Sequence, residues 1–208
     1  MNGCSRELPT LAAVVLAAGK SRRMGVDKLA LAWRGRSLLD WVLDAALALD
    51  AVIVVGGGRE LVEQRRAALG EESPQLQSVK PAEACPLQSD SLRAGIAAVP
   101  PQALGALVLL GDMPLVTPGL VLRLARAFVP GRFLVPRCHG RRGNPVVIPR
   151  EWFPRVERLC GDSGAKPLLT DPNAAISYLD VDDDAVLRDV DTPSDYATLT
   201  NQPSRAEP

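Results

Sequence analysis

A three-layer α/β sandwich, with a mostly parallel sheet between two layers of helix, is the fold class that this sequence predicts. Three observations carry the prediction. Short apolar runs bounded by Gly, Pro or charge recur along the chain. Longer segments with apolar residues three and four apart lie between them. The two kinds alternate, which is the rhythm of parallel strands joined by crossover helices that cover both sheet faces.

The elements follow in order. AAVVLA (12–17), AVIVV (51–55), ALVLL (106–110) and RFLVP (132–136) have the length and apolar continuity of buried strands. SLLDWVLDAALAL (37–49), RELVEQRRAAL (59–69), DSLRAGIAAV (90–99) and TPGLVLRLARAF (117–128) carry the helical spacing. Thr117 followed by Pro118 is a helix start, a hydroxyl cap and then proline at the first helical position. Beyond Phe133 the pattern loosens: NPVVI (144–148) reads as a strand, EWFPRVERL as helical, GDSGAK as a polar loop and AAISYLDV (174–181) as a strand. VDTPSDYATL reads as a strand end passing into a final helix, with Thr192 as cap, Pro193 first and Asp195 third. With 208 residues the chain suits one domain, residues 1–201, followed by a polar tail, 202–208.

Composition excludes several classes. The 24 basic and 24 acidic residues cancel, so no nucleic-acid or membrane surface is advertised. Cys4, Cys85, Cys138 and Cys160 are scattered without a CxxC pair, against a disulfide framework or zinc site and in keeping with a reducing compartment. Cys138-His139 lacks a partner pair at metal-site spacing. The longest apolar run, 11–19, is too short to span a bilayer, and its continuation into KSRRMG makes a poor signal-peptide cleavage site. The expected location is cytoplasmic.

Ligands of open α/β sheets bind beyond the carboxyl ends of the strands. Three unusual stretches fall at such ends: AAGKSRRMG after the first strand, GDMP after ALVLL, and VDTP near the end. The first is neither common phosphate motif. A Walker loop would need glycine at Val14, inside the strand, and GxGxxG fails because Ala17-Ala18-Gly19 has one glycine in the turn. What remains is a strand ending in small residues, which let a base or ribose approach the backbone. Lys20, Arg22, Arg23 and Lys28 then follow within nine residues, enough charge to neutralise a triphosphate. A solvated basic loop has the same composition.

LAAGKSRRMGVDKLAL resembles the signature LAAGxSxRMGxxK of the nucleotidyltransferases that act on the molybdenum cofactor. Six motifs follow in family order: LAAGKSRRMGVDK, SDSLRAGI (89–96), LLGDMPLVTP (109–118), RRGNPVVI (141–148), GDSGAK (161–166) and DVDTPSDY (189–196). The likeness is to the cytidylyltransferase branch, since the guanylyltransferase branch reads LAGG where this chain has Leu16-Ala17-Ala18-Gly19. The chain departs from that branch in reading LQSDSL for GMSSSL and RGNP for RGHP. The chemistry therefore transfers more fully than the exact substrate.

The resemblance implies a Rossmann-like fold of the nucleotidyltransferase (GT-A-like) kind. It implies transfer of CMP from CTP to the phosphate of molybdopterin, with release of pyrophosphate. The cofactor would be Mg2+, or Mn2+, and a molybdoenzyme or its chaperone would receive the product. Leu16, Ala17, Ala18 and Gly19 would line the base pocket, with Ser91 and Asp90 reading the polar edge of the base. Arg23 and Lys28 would hold the β- and γ-phosphates. Asp112 would bind the metal, joined by Asp191 or, as the alternative two residues away on the same face, Asp189. Asn144, Asp162 and Lys166 are the acceptor-side candidates, although pre-proline geometry and ordinary loop chemistry explain those residue types equally well. A phosphate acceptor is already ionised, so no general base is needed, in keeping with His139 being the chain's one histidine. Competing readings are GTP as donor, another small phosphate or sugar phosphate as acceptor, a non-catalytic cofactor chaperone, and an NAD(P)-binding oxidoreductase.

Overall fold

The computed structural model describes residues 10–18, 27–70, 75–82 and 87–201. Its strands are β1 (Leu11–Ala17), β2 (Ala32–Trp33), β3 (Arg36–Ser37), β4 (Ala51–Gly56), β5 (Gln75–Val79), β6 (Gly105–Leu110), β7 (Phe133–Cys138), β8 (Arg141–Arg142), β9 (Val146–Pro149) and β10 (Ile176–Asp180). Its helices are α1 (Leu38–Ala46), α2 (Arg59–Leu69), α3 (Gln88–Ala97), α4 (Pro118–Ala127), α5 (Phe153–Val156), α6 (Lys166–Leu169) and α7 (Pro193–Thr200). The main sheet has the order β10-β7-β9-β6-β1-β4-β5, with β8 beside β7. β6, β1, β4 and β5 are mutually parallel, and β10 is parallel to β7. Only β9, wedged antiparallel between β6 and β7, and the short β8 run the other way.

The central strands are apolar on every residue because both their faces are covered. Leu11, Ala13, Val15 and Ala17 of β1 pack under Val42 and Leu43 of α1 and Val121 and Leu124 of α4. Ala12 and Val14 point the other way, into a core with Leu92 and Ile96 of α3 and Phe153 and Val156 of α5. Each such side chain taken fully out of water contributes about 1.5–3 kcal/mol before the cost of ordering it. Gly95 lets α3 lie close on the sheet. A Cβ there would stand 2.4 Å from Val14 Cγ1 and 3.0 Å from Val55 Cγ2.

Several elements differ from the sequence reading, each for a visible reason. β5 lies in QLQSV, a polar segment with no apolar run, because it is an edge strand with Leu76 as its buried anchor. EWFPRVERL is not one helix but a 3-10 turn, Arg150–Trp152, followed by the single turn α5, with Pro154 in its first turn. NPVVI becomes a strand only from Val146, and it runs antiparallel. No strand runs directly into α7; residues 188–192 are held instead by contacts such as that of Val190 N–H to the Asp112 carbonyl. The start of α7 itself is as expected: Thr192 Oγ1 accepts from the Asp195 N–H at 3.2 Å, and Asp195 accepts from the Thr192 N–H at 2.8 Å. α4 likewise begins with Thr117 accepting from the Leu120 N–H at 3.2 Å.

Candidate active site

From β1 the chain winds outward through β4 to β5, then crosses back to place β6 on the opposite side of β1. The carboxyl ends of β1 and β6 therefore bound the crevice where strand order reverses, the usual ligand position in such sheets. Asp112 stands there, two residues past the end of β6. The end of β1 is clasped by its neighbours: Gly111 N–H donates to the Leu16 carbonyl and Gly57 N–H to the Ala17 carbonyl, both at 3.0 Å. Small residues are needed at this point for packing alone. A Cβ on Gly56 would come within 2.5 Å of Ala18 Cβ, and one on Gly111 within 3.1 Å of the Leu16 oxygen.

Lys28 opens a 3-10 turn, with Asp27 capping it by accepting from the Leu29 N–H at 3.1 Å. Its ammonium reaches Asp112 Oδ2 at 2.5 Å and Asp191 Oδ1 at 2.6 Å, joining residues 84 and 163 positions away in the chain. Lys28 is only 8% exposed. Burial alone would lower its pKa, but the Asp112 charge and the hydrogen bonds to both carboxylates outweigh burial and hold it above its ordinary value. Of the two aspartates left open by spacing, Asp191 is the one that meets Lys28. Burial pushes the Asp189 carboxyl above its ordinary value, and the charges of Asp112 and Asp191 push it further.

The two acids are brought together by backbone. Val190 N–H donates to the Asp112 carbonyl at 2.9 Å, tying DVDTP to GDMP. Asp195 also accepts from the Asp191 N–H at 3.2 Å, so the cap of α7 holds the acid's own main chain. Beneath them lies a small separate core of Trp33, Leu38, Leu115, Ala185, Val190 and Leu199. The β2–β3 hairpin supplies Trp33, and Tyr196 of α7 donates its hydroxyl to the Ala32 carbonyl at 2.5 Å. The sequence reading passed over this hairpin. The clue was Trp33-Arg34-Gly35-Arg36, a two-residue turn whose central residues both have positive φ, 50° at Arg34 and 80° at Gly35.

The other predicted residues fall as follows. Gly19, Lys20, Arg22 and Arg23 lie outside the described residues, as does the tail. Asp90 closes the first turn of α3, accepting from the Leu87 N–H at 2.8 Å and from Arg93 at 2.6 Å. Ser91 is buried and donates to the Leu87 carbonyl at 3.4 Å. Asp162 also serves α3, accepting from the Gln88 N–H at 3.0 Å, so the GDSGAK loop docks on the start of SDSLRAGI. Lys166 is exposed at the start of α6. Asn144 precedes a cis peptide to Pro145 and donates its N–H to the Val186 carbonyl at 2.8 Å. His139 sits in the hairpin between β7 and β8 with φ of 48°.

A divalent ion is compatible with these residues. Asp112 Oδ1 is buried and has no hydrogen-bond partner, and the same carboxylate already converges with Asp191 on one cation. Among the described residues no group of three or more His, Cys, Asp or Glu gathers to hold a metal. Two carboxylates with substrate oxygens and water completing the shell suit magnesium better than an all-protein cage. Among the described residues, too, no helix is long and apolar enough to cross a membrane.

Comparison with known proteins agrees with this geometry. Residues 13–176 match the model of the MobA-like NTP transferase domain. The purine catabolism protein PucB of Bacillus subtilis is 33% identical over 196 residues, covering 90% of this chain and 95% of that protein. Nicotine blue oxidoreductase of Paenarthrobacter nicotinovorans is 30% identical over 199 residues, covering 89% and 94%. The crystal structure of Rv0371c from Mycobacterium tuberculosis superposes with a TM-score of 0.74 at 32% identity, covering 93% of this chain and 99% of that one. A structure of Rv0371c in complex with manganese gives 0.71 at 30% identity, covering 94% and 100%. The chain belongs to the MobA-like NTP transferase family and is a nucleotidyltransferase, moving a nucleoside monophosphate from an NTP to a phosphate substrate.

Proposed function

We propose that the chain is a CTP:molybdopterin cytidylyltransferase, transferring CMP to the cofactor's phosphate and releasing pyrophosphate. The observation that carries the reading is the convergence of Lys28, Asp112 and Asp191 at the carboxyl ends of β1 and β6. The choice of base and acceptor rests on the six ordered motifs, LAAG above all.

In this reading Asp112 and Asp191 hold magnesium or manganese, with Asp189 lending negative charge nearby. When bound, the ion would supply neutralising charge to the polyphosphate. Lys28 contributes a point charge to the phosphates, and Arg23 a forked contact. Leu16, Ala17, Ala18 and Gly19 are assigned to the base, with Ser91 and Asp90 to its polar edge, and Asn144, Asp162 and Lys166 to the acceptor. An oxygen of the acceptor phosphate attacks the α-phosphorus, the bond to the bridging oxygen breaks, and that oxygen's electron pair leaves with pyrophosphate. The acceptor oxygen carries no proton at neutral pH, so the protein's task is alignment and charge balance.

The test is pyrophosphate release with each NTP, magnesium and molybdopterin, in wild type and Asp112→Asn. Turnover with CTP, lost at least 100-fold in the variant while its fold is retained, is expected. A preference for GTP above tenfold would reject the base, and near-normal release by the variant would reject the metal assignment. A second reading within the same chemistry has a different phosphate as acceptor. It is favoured by 36% identity over 121 residues to a 2-C-methyl-D-erythritol 4-phosphate cytidylyltransferase of a Synechococcus strain. Release that needs a sugar phosphate or polyol phosphate rather than molybdopterin would select it. The similarity to nicotine blue oxidoreductase is tested by an NAD(P)H titration, for which no binding is expected.

A further inference from the structure

We propose that Lys28 is a tethered surrogate for the divalent ion, occupying the point between Asp112 and Asp191 until a nucleotide draws it away, and so making metal binding depend on nucleotide binding. The inference rests on the metal reading above and adds a second, competing station for Lys28.

Both carboxylates already point at one centre. The ammonium nitrogen lies 2.5 Å from one Asp112 oxygen and 2.6 Å from one Asp191 oxygen. An ion bridging those oxygens would need the same place, since magnesium–oxygen bonds are about 2.0–2.1 Å. The two cations exclude each other by contact and by charge. Two carboxylates converging on one point call for a cation between them, and Lys28 supplies it here. Asp112 Oδ1 remains buried without a hydrogen-bond partner, so the lysine satisfies one oxygen of that carboxylate and leaves the other unserved.

The lysine is built to leave while its backbone stays. Asp27 caps its turn, the Lys28 carbonyl accepts from the Leu31 N–H at 3.2 Å, and buried Leu29 packs near Gly111 and Gly57. Only the four-carbon stem has to swing. Without nucleotide, a metal must strip the ammonium of two charge-assisted hydrogen bonds and leave it near a like charge. With nucleotide, the polyphosphate offers the ammonium new anionic partners and supplies the metal with further oxygens. Metal and nucleotide then favour each other's binding by the same factor.

The test is Mn2+ binding to the full chain without nucleotide, read from the electron paramagnetic resonance signal of free Mn2+. Wild type, Lys28→Met, Lys28→Arg, and Asp112→Asn alone and combined with Lys28→Met are compared, with folding of each checked by circular dichroism. Lys28→Met, which keeps the stem and removes the charge, is expected to bind Mn2+ at least tenfold tighter than wild type. Lys28→Arg, which keeps the charge, is expected to stay weak, and Asp112→Asn is expected to abolish the gain. If Lys28→Met binds no tighter while Asp112→Asn still removes binding, the acids hold metal but the surrogate role is overturned. If Asp112→Asn leaves Mn2+ binding unchanged, or no form binds Mn2+ at all, the metal reading itself falls and the surrogate role with it. Should Lys28→Met fail to fold, Lys28→Gln takes its place with the same expected gain.

Discussion

Replacing Gly95 by alanine sets two effects of opposite sign against each other. In a helix interior, alanine is favoured over glycine by about 0.8–1.0 kcal/mol. Here the new methyl would lie 2.4 Å from Val14 Cγ1 and 3.0 Å from Val55 Cγ2, and both valines are 0% exposed. Ordinary carbon contacts are about 3.5–4.0 Å, so α3 or β1 must give by more than about 1 Å. β-Branched side chains are stiff at χ1, which closes the cheapest escape. Overpacking of this kind costs about 1–3 kcal/mol, and the worse contact belongs near the upper end. We expect net destabilisation of about 1–2 kcal/mol by urea unfolding, which for a chain of this length is a Tm lower by roughly 2–8 °C. A Gly95→Ala/Val14→Ala double variant should be less unstable than the two single losses added, with a coupling near 1 kcal/mol, because the second change removes the clashing methyl. The displaced α3 carries Asp90, Ser91 and the docking point of the GDSGAK loop, so KM for the nucleotide should rise. A stabilised Gly95→Ala, or strict additivity in the double variant, would show that helix propensity rather than close packing governs this glycine.

Thr192→Ala removes the hydroxyl that caps α7 and one of the bonds holding Asp195, which in turn holds the Asp191 N–H. Loss of about 1 kcal/mol in urea unfolding is expected, together with a lower kcat. Gly143→Ala would place a Cβ 2.2 Å from the Val186 carbonyl oxygen, a backbone atom with little freedom. Destabilisation of about 2 kcal/mol and a raised KM for the acceptor are expected from paired unfolding and rate measurements. Asp40 is crowded by burial, yet hydrogen bonds from Arg36 and Arg65 dominate and hold its carboxyl below the usual carboxylate range. A group depressed in the folded state stabilises fully above its ordinary value near about 4 and loses that contribution as pH falls towards its folded value. The stability gap between wild type and Asp40→Asn, about 2 kcal/mol at pH 7 for a half-buried network, should therefore shrink as pH falls below the ordinary carboxylate value of about 4.

The fold was legible where a residue's surroundings are uniform along an element. β1, β4 and β6 are covered on both faces, so every residue had to be apolar and small enough to pack. The cap of α7 was legible because its partners lie three residues apart. What stayed hidden depends on partners far along the chain. QLQSV needed only Leu76 as an anchor, and an edge strand carries no wider apolar signature. The smallness of Ala17 and Ala18 suggested a bound base, while the crowding visible at this point falls on Gly56 and Gly57, where a Cβ would stand 2.5 Å from Ala18 Cβ and 2.8 Å from the Ala17 oxygen. Asp90 and Asp162 bore the charge expected of recognition residues, while their visible work is to satisfy N–H groups at the start of α3. The candidates Asp112 and Asp191 could be picked out from motif and family resemblance. That Lys28 would stand between them could not, since no local pattern links residues 84 and 163 positions apart.

The division of labour between main chain and side chain bears on how such a site can act. Two carboxylates facing one point repel unless a cation lies between them, and an unsupported pair would drift apart on its side-chain torsions. Here separation is resisted at the backbone: Val190 N–H is pinned to the Asp112 carbonyl, and the Asp191 main chain is held by the cap of α7. α7 is in turn fixed by Leu199 in the small core under the site and by Tyr196 on the β2–β3 hairpin. The main chains that carry the acids are therefore held in place, and the lysine that neutralises them is attached through a flexible stem. Electrostatic catalysis depends on dipoles and charges that need not reorganise as the reaction proceeds. A backbone frame that holds two acids beside one exchangeable cation suits that condition: the charge between the acids can change hands before the chemistry begins, without moving the main chain that carries them.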